Sequence, residues 1–220
     1  MADLRAFLRT LGVALLLCAW VPAMGQAASH TSLNAQLLVA ARQSDTAAVQ
    51  QALARGAAGD SRNRLGKTVL MIAAEKGLPS MAAAALKAGA DVNLASLDRV
   101  TPLMAASFSG QTTLVRDLLE AGARIDAVDR MRKPAIVYAA GQGHAAVVAL
   151  LLDRGVSPNA IYENQLTALM WAAGAGSVDT VKLLLARGAR TEPRDDRGLT
   201  AMDIARQAGH AEVAGLLGAP

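Results

Sequence analysis

Thr101-Pro102-Leu103-Met104-Ala105-Ala106 is the stretch whose reading decides the fold, because its pattern returns every 33 residues. A step of 33 from Leu37 reaches Leu70, Leu103, Ile136, Leu169 and Met202, all apolar and of similar size. The same step from Ala40 reaches Ala73, Ala106, Ala139, Ala172 and Ala205. Leu53 is followed in the same register by Leu86, Leu119, Leu152 and Leu185, and three residues after each comes a glycine, from Gly56 to Gly188. No insertion interrupts the register. A fixed period of this size denotes stacked units rather than one closed core, since a unit so small cannot bury its own apolar face and must lean on its neighbours.

Each column has a physical reading. The threonine that opens the stretch suits a helix N-cap and the proline after it suits the first helical position. An alanine that recurs in every unit lets two helices approach closely. Val115, Leu118 and Leu119 lie at i, i+3 and i+4, one stripe of a helix, and Gly122 supplies the left-handed residue that ends it.

Thr68-Val69-Leu70-Met71, Thr101-Pro102-Leu103-Met104, Thr167-Ala168-Leu169-Met170 and Thr200-Ala201-Met202-Asp203, with Gly89-Ala90-Asp91-Val92-Asn93, resemble the ankyrin repeat. The resemblance covers the chain from about residue 33 to its end. It implies an all-α solenoid of about six 33-residue helix-turn-helix units with β-turn or hairpin tips. The expected units are roughly 33–62, 63–95, 96–128, 129–161, 162–194 and 195–220. The first and last deviate as capping units do: Ser44 stands in the column of Gly77 and its counterparts, Ala35 replaces the threonine, and Asp203 and Arg206 sit where interior units are apolar or small.

Two departures from the family pattern stand out. The signature histidine is replaced by Met71, Met104, Val137, Met170 and Asp203, so the polar link it makes between neighbouring loops is expected to be missing, with methionine filling the gap by packing. Pro134-Ala135-Ile136 lacks the hydroxyl cap, and a local weak point is expected there.

Residues 1–25 read as a secretory signal peptide, with Arg5 and Arg9 before an apolar run from Leu11 to Trp20, then Pro22 and small residues. That run is shorter than the roughly 20 residues a bilayer span needs. Cleavage is expected after Gly25, at Ala23-Met24-Gly25, with Gly25-Gln26-Ala27 the neighbouring choice and an uncleaved membrane anchor the alternative. Leu17 before Cys18 is bulky where a lipoprotein signal wants a small residue. Residues 26–32 are expected to form a short linker, and 33–220 the repeat domain. Loss of Asp3, Arg5 and Arg9 changes the formal charge from +4 to +3, and Cys18, the one cysteine, leaves with the leader. Stability must then come from stacking, without disulfides. The pI near 9.6 invites a nucleic-acid reading, but no recognition module is visible and an exported chain rarely meets nucleic acid.

Little in the sequence suits catalysis. His30 follows the leader; His144 and His210 follow Gly143 and Gly209, where the family places a histidine that helps start the outer helix. They are 66 residues apart with no cysteine near, which is not a metal-ligand spacing. No nucleophile elbow or phosphate-binding loop is present, and Asp195-Asp196 reads as a solvated turn. The chain is expected to be no enzyme and to need no cofactor.

Function is therefore sought on the surface. The resemblance implies a concave face of loop tips and inner helices that binds a protein partner. Its candidate residues here are Arg64, Lys67, Arg99, Phe108, Arg130, Met131, Arg132, Lys133, Tyr138, Tyr162 and Trp171. All aromatic residues after the leader fall between 108 and 171, and aromatic and arginine side chains are the usual anchors of interfaces. Phe108 occupies a column otherwise held by Glu75, Gly141, Gly174 and Gln207, which reads as exposed; Tyr138 and Trp171 share a half-buried column with Ile72, Ala105 and Ile204. The expected partner is a protein with an acidic surface and an apolar centre. The expected role is a scaffold, inhibitor or accessory of an envelope or stress-defence protein in the periplasm of a Gram-negative bacterium, without membrane insertion once the signal is removed. The competing readings are a carrier of an anionic or haem-like ligand, stacked on Tyr138 and Trp171 beneath Arg132, and a secreted effector.

Overall fold

The computed structural model describes residues 23–218, with side chains from residue 33. Twelve α-helices follow one another: α1 (Ala23–Arg42), α2 (Thr46–Ala54), α3 (Val69–Lys76), α4 (Pro79–Lys87), α5 (Pro102–Phe108), α6 (Thr112–Glu120), α7 (Ala135–Gly141), α8 (Ala145–Asp153), α9 (Ala168–Gly174), α10 (Val178–Ala186), α11 (Ala201–Gln207) and α12 (Ala211–Gly218). Each odd-numbered helix packs on the even-numbered one that follows, and the odd and even helices stack in two separate rows. There is no strand among the described residues. The expected all-helical array is what forms. The expected signal sequence lies almost wholly outside the described residues. Residues 26–32, the expected linker, lie within α1.

The recurring columns explain the stacking. Ala73, Ala106, Ala139, Ala172 and Ala205 are wholly buried, as are Leu70, Leu103, Leu169, Val115 and Leu118, while Leu119 is partly buried against them. A larger side chain in the alanine column would force the inner row apart. Thr68, Thr101, Thr167 and Thr200 each cap their helix, the hydroxyl oxygen accepting the amide of Met71, Met104, Met170 and Asp203 at 3.2–3.3 Å. Ser44, in the glycine column, takes the left-handed conformation with φ 62°. At the far end Asp203 completes a capping box, its carboxylate accepting from the Thr200 amide and hydroxyl. These bonds hold its pKa below the ordinary carboxylate value, with the charges of Arg194 and Arg206 adding to the effect.

α7 begins without a side-chain cap at Pro134, as expected. The turn before it is nevertheless fastened. Buried Asp129 accepts the amides of Met131 and Lys133 at 2.8 Å and the Tyr138 hydroxyl at 2.6 Å. Asp195 does the same for the last long loop, accepting the amides of Arg197 and Leu199 and two bonds from the Arg197 guanidinium. Its reading as a solvated turn is thereby corrected. Burial alone would raise its pKa, but the hydrogen bonds from Leu199 and Arg197 and the Arg197 charge lower it.

The histidines also differ from expectation. His144 makes no side-chain cap on α8. Its Nε2 instead meets the Phe108 carbonyl at 2.9 Å, and His210 Nε2 meets the Gly174 carbonyl at 3.1 Å. Both rings tie the start of an outer helix to the inner helix of the preceding unit and lie over Gly110 and Gly176, where they leave no room for a Cβ. The side chain of His30 falls outside the described residues.

Candidate functional site

Five long loops connect the helix pairs: L1 (55–68), L2 (88–101), L3 (121–134), L4 (154–167) and L5 (187–200). Four of their tips share one construction. The first tip residue in L1, L2, L3 and L5 is Asn63, Ser96, Asp129 and Asp195, and its side chain accepts main-chain amides up to four residues ahead, closing the turn. L4 has Tyr162 there, which cannot close the turn that way. Its tip instead winds into a short 3-10 turn, Glu163–Gln165, in which Asn164 and Gln165 both have φ 58°. An isolated antiparallel bridge between Ile161 and Thr167 closes its base.

This change has a consequence for how the loops are joined. The Leu97 amide donates to the Leu65 carbonyl and the Asp91 amide to Asp60 Oδ1, which stitches L2 to L1. Arg130 donates from its amide to the Asp98 carbonyl, while Asn93 accepts the Arg124 amide and donates to the Gly122 carbonyl, stitching L3 to L2. L5 is stitched to L4 identically through Asp196, Asn164, Asn159, Arg190 and Gly188. The loss of the histidine link thus leaves the loops joined by main chain and asparagine, with Asp60 and Arg62 serving between L1 and L2, and Met71, Met104 and Met170 are buried beneath.

Between L3 and L4 the stitching stops. Among the described residues no hydrogen bond joins them; the equivalents, Glu163 N–H to Met131 and Ser157 N–H to Asp126, are not made. What spans the gap is an ion pair, Arg132 Nε to Glu163 Oε2 at 3.0 Å, whose side chains are 76% and 50% exposed. Exposed pairs of this kind contribute about 0–1 kcal/mol.

A cleft of about 220 Å³ opens at this junction, lined by Arg130, Met131, Arg132, Lys133, Val137, Tyr162, Glu163, Asn164, Leu166 and Trp171. Lys133 Nζ stands 4.6 Å from the centroid of the Trp171 ring, within cation–π range. The Tyr162 hydroxyl is buried without a hydrogen-bond partner, and burial pushes its pKa up to about 12. Tyr138 is raised further from the ordinary tyrosine value, first by burial, then by its bond to Asp129 and the charges of Asp129 and Asp98.

Six of the expected site residues, Arg130, Met131, Arg132, Lys133, Tyr162 and Trp171, therefore meet at one place. Phe108 is 49% exposed, as its column suggests, and its ring meets Tyr138 edge-on at 6.1 Å between centroids. Tyr138 and Trp171 are half-buried, whereas Ile72 and Ala105 of the same column are buried. Arg99 lies with Arg132 and Tyr162 along the outer rim of L4. Arg64 and Lys67 stand apart, in a groove at the α1 end with Leu65 and Lys76, where Lys67 is paired with Glu75 at 2.5 Å.

Sequence reasoning did not single out Leu65, Leu97 and Ile161, each about as exposed as Met131, or the part played by Glu163. Leu65 shares the tip column of Met131, and Leu97 that of Arg130. The cleft's volume falls below the roughly 300–1,000 Å³ of small-molecule sites, and it is open to solvent. No helix among the described residues is long and apolar enough to cross a membrane, and no group of metal-ligating side chains gathers there.

A family model described as ankyrin repeats, in three copies, matches residues 37–129 and again 131–219, most of the chain. A search of curated proteins finds no match.

Proposed function

The chain belongs to the ankyrin-repeat family, whose members are generally protein–protein interaction modules, and from that premise we propose that it is an exported, non-catalytic binding module of six units. It holds a folded protein partner against the loop tips and inner helices, as a scaffold, inhibitor or accessory of an envelope or stress-defence protein. The leader read in residues 1–25 directs it to the periplasm of a bacterium and is then removed. The partner's matching surface is acidic with an apolar centre.

The observation that carries this reading is the concentration of exposed cationic and aromatic side chains along one edge. Arg99, Arg130 and Arg132 are exposed beside Met131 and Phe108, with Lys133, Tyr138, Tyr162 and Trp171 half-buried behind them. Such a mixture provides the desolvated anchors that interfaces use, with charge available to steer an acidic partner. Arg99 and Arg132 also hold a left-handed backbone, φ 61° and 57°, where L1 and L5 have Gly66 and Gly198. That conformation costs a residue with a Cβ about 1 kcal/mol or more, which is consistent with the side chains being kept for a purpose outside the fold.

Affinity capture from envelope extracts, with the exported protein and a Phe108→Ala/Arg132→Glu variant as baits, tests the reading. The wild-type bait is expected to retain a protein that the variant loses; recovery of the same proteins by both removes this face. The intact mass of the exported product checks the leader, because a mass that includes residues 1–25 contradicts its removal.

A further inference from the structure

The junction between L3 and L4 differs from its counterparts in three independent ways. It lacks the loop-to-loop hydrogen bonds, it contains an unpartnered buried hydroxyl at Tyr162, and its one bridge is a solvent-exposed ion pair. L3 brings Arg130, Arg132 and Lys133 to the opening, against a single carboxylate from L4, Glu163. The wall beneath is the indole of Trp171, already facing a cation. Positive charge thus exceeds negative at a mouth whose floor is aromatic.

We propose that this cleft receives the carboxylate of one acidic residue on an extended segment of the protein partner, its apolar neighbour lying on Trp171, and that Glu163 is a stand-in which the incoming carboxylate displaces from Arg132. The proposal rests on the binding-module reading and specifies where and by what chemistry the partner is anchored. An exchange of one carboxylate for another conserves the charge pairing of Arg132. It adds Lys133 and Arg130 as further partners, so the bound arrangement has more opposite-charge contacts than the free one. Glu163 returns to water, where a carboxylate is fully solvated. The small volume suits one side chain rather than a cofactor-sized ligand.

Trp171 is the only tryptophan after Trp20, so its emission reports the cleft directly. The probes are capped pentapeptides with Glu-Leu or Glu-Phe at their centre, the same peptides with Gln for Glu, and sodium acetate at matched ionic strength. All are titrated to about 5 mM, a range that reads weak single-anchor binding. The glutamate peptides are expected to change the emission saturably, while glutamine peptides and acetate do not.

Glu163→Gln should tighten the glutamate peptides about two- to five-fold by removing the competing carboxylate, the size expected for an exposed pair. Lys133→Gln should weaken them by about five-fold. A residue that merely held the loops together would give weaker binding on removal, so the gain in Glu163→Gln separates displacement from structural support. Equal response to glutamine peptides or to acetate, unchanged or weaker binding in Glu163→Gln, or no response to any peptide overturns the proposal. If that happens while the wild-type bait still captures a protein that the double variant loses, the broader reading survives and only this anchor is removed.

Discussion

The L2–L3 and L3–L4 junctions are built on the same helical stacking and differ only at their loops. Under both, the inner helices pack through buried alanine and leucine columns. Above one, Asn93 clamps the next loop from both sides and the tips share a main-chain bond. Above the other, Asp126 occupies the clamp column and Tyr162 the tip column, and neither bond forms. Aspartate offers no amide donor for the Gly155 carbonyl, although Asp60 in the same column still accepts the Asp91 amide, and tyrosine has no short acceptor to close the turn that would aim the Glu163 amide at Met131. The tip at Tyr162 and the unmade bonds of Asp126 thus leave one seam open while the spine beneath continues unbroken.

The largest expected effect tests whether the spine is the same on both sides. Leu103→Ala and Leu169→Ala remove equally buried side chains, and each should destabilise by about 2–5 kcal/mol in urea unfolding. A much smaller loss at Leu169 would mean that the packing, and not only the loops, is slack near the cleft.

Next comes the clamp. Asn93→Ala and Asn159→Ala each delete two hydrogen bonds, and a loss of about 1–2 kcal/mol is expected, whereas Asp126→Ala should stay within about 0.5 kcal/mol. Asp126→Asn sharpens the contrast by restoring the missing donor. That donor is aimed at the Gly155 carbonyl, and the bond should raise stability by up to about 1 kcal/mol in urea unfolding. If Asp126→Ala costs as much as Asn93→Ala, the seam is not open.

Smaller again is relief of backbone strain. Arg132→Gly should stabilise the protein by about 0.5–1 kcal/mol in thermal unfolding while reducing partner capture. A gain without loss of capture would free Arg132 from any role in binding.

The smallest effect is confined to acid. Asp195 and Asp203 have folded pKa values lowered from 3.8. Their contribution is therefore fully present above that value and is lost as pH falls below it toward the folded values. Asp195→Asn should flatten the stability–pH curve below pH 3.8, and an unchanged acid limb would show that other carboxylates control it.

Much of this molecule is legible in its columns. A repeat that never loses register fixes helix positions, caps and core together, because each unit must present the same face to the next. Exposure of Phe108 followed from the residues that share its column. The open seam was not legible, since it depends on what Tyr162 and Asp126 fail to bond, and a missing hydrogen bond leaves no mark in a pattern of apolar residues. Arg64 and Lys67 were grouped with the other cations by column position alone. In space, Lys67 is neutralised by Glu75 and both lie near α1. Asp195 looked like a surface turn because sequence cannot show that Arg197 folds back over it.

One unsewn seam in an otherwise sewn stack also fixes where the molecule can yield. Bending at that place turns L1–L3 against L4–L5 as two levers, and the displacement grows with distance along each arm. A partner gripping both ends would therefore register a small change at Arg132 and Glu163 as a larger change in the separation of the two ends. Closing the seam with Asp126→Asn would bias that separation toward one value by the worth of the single bond it adds.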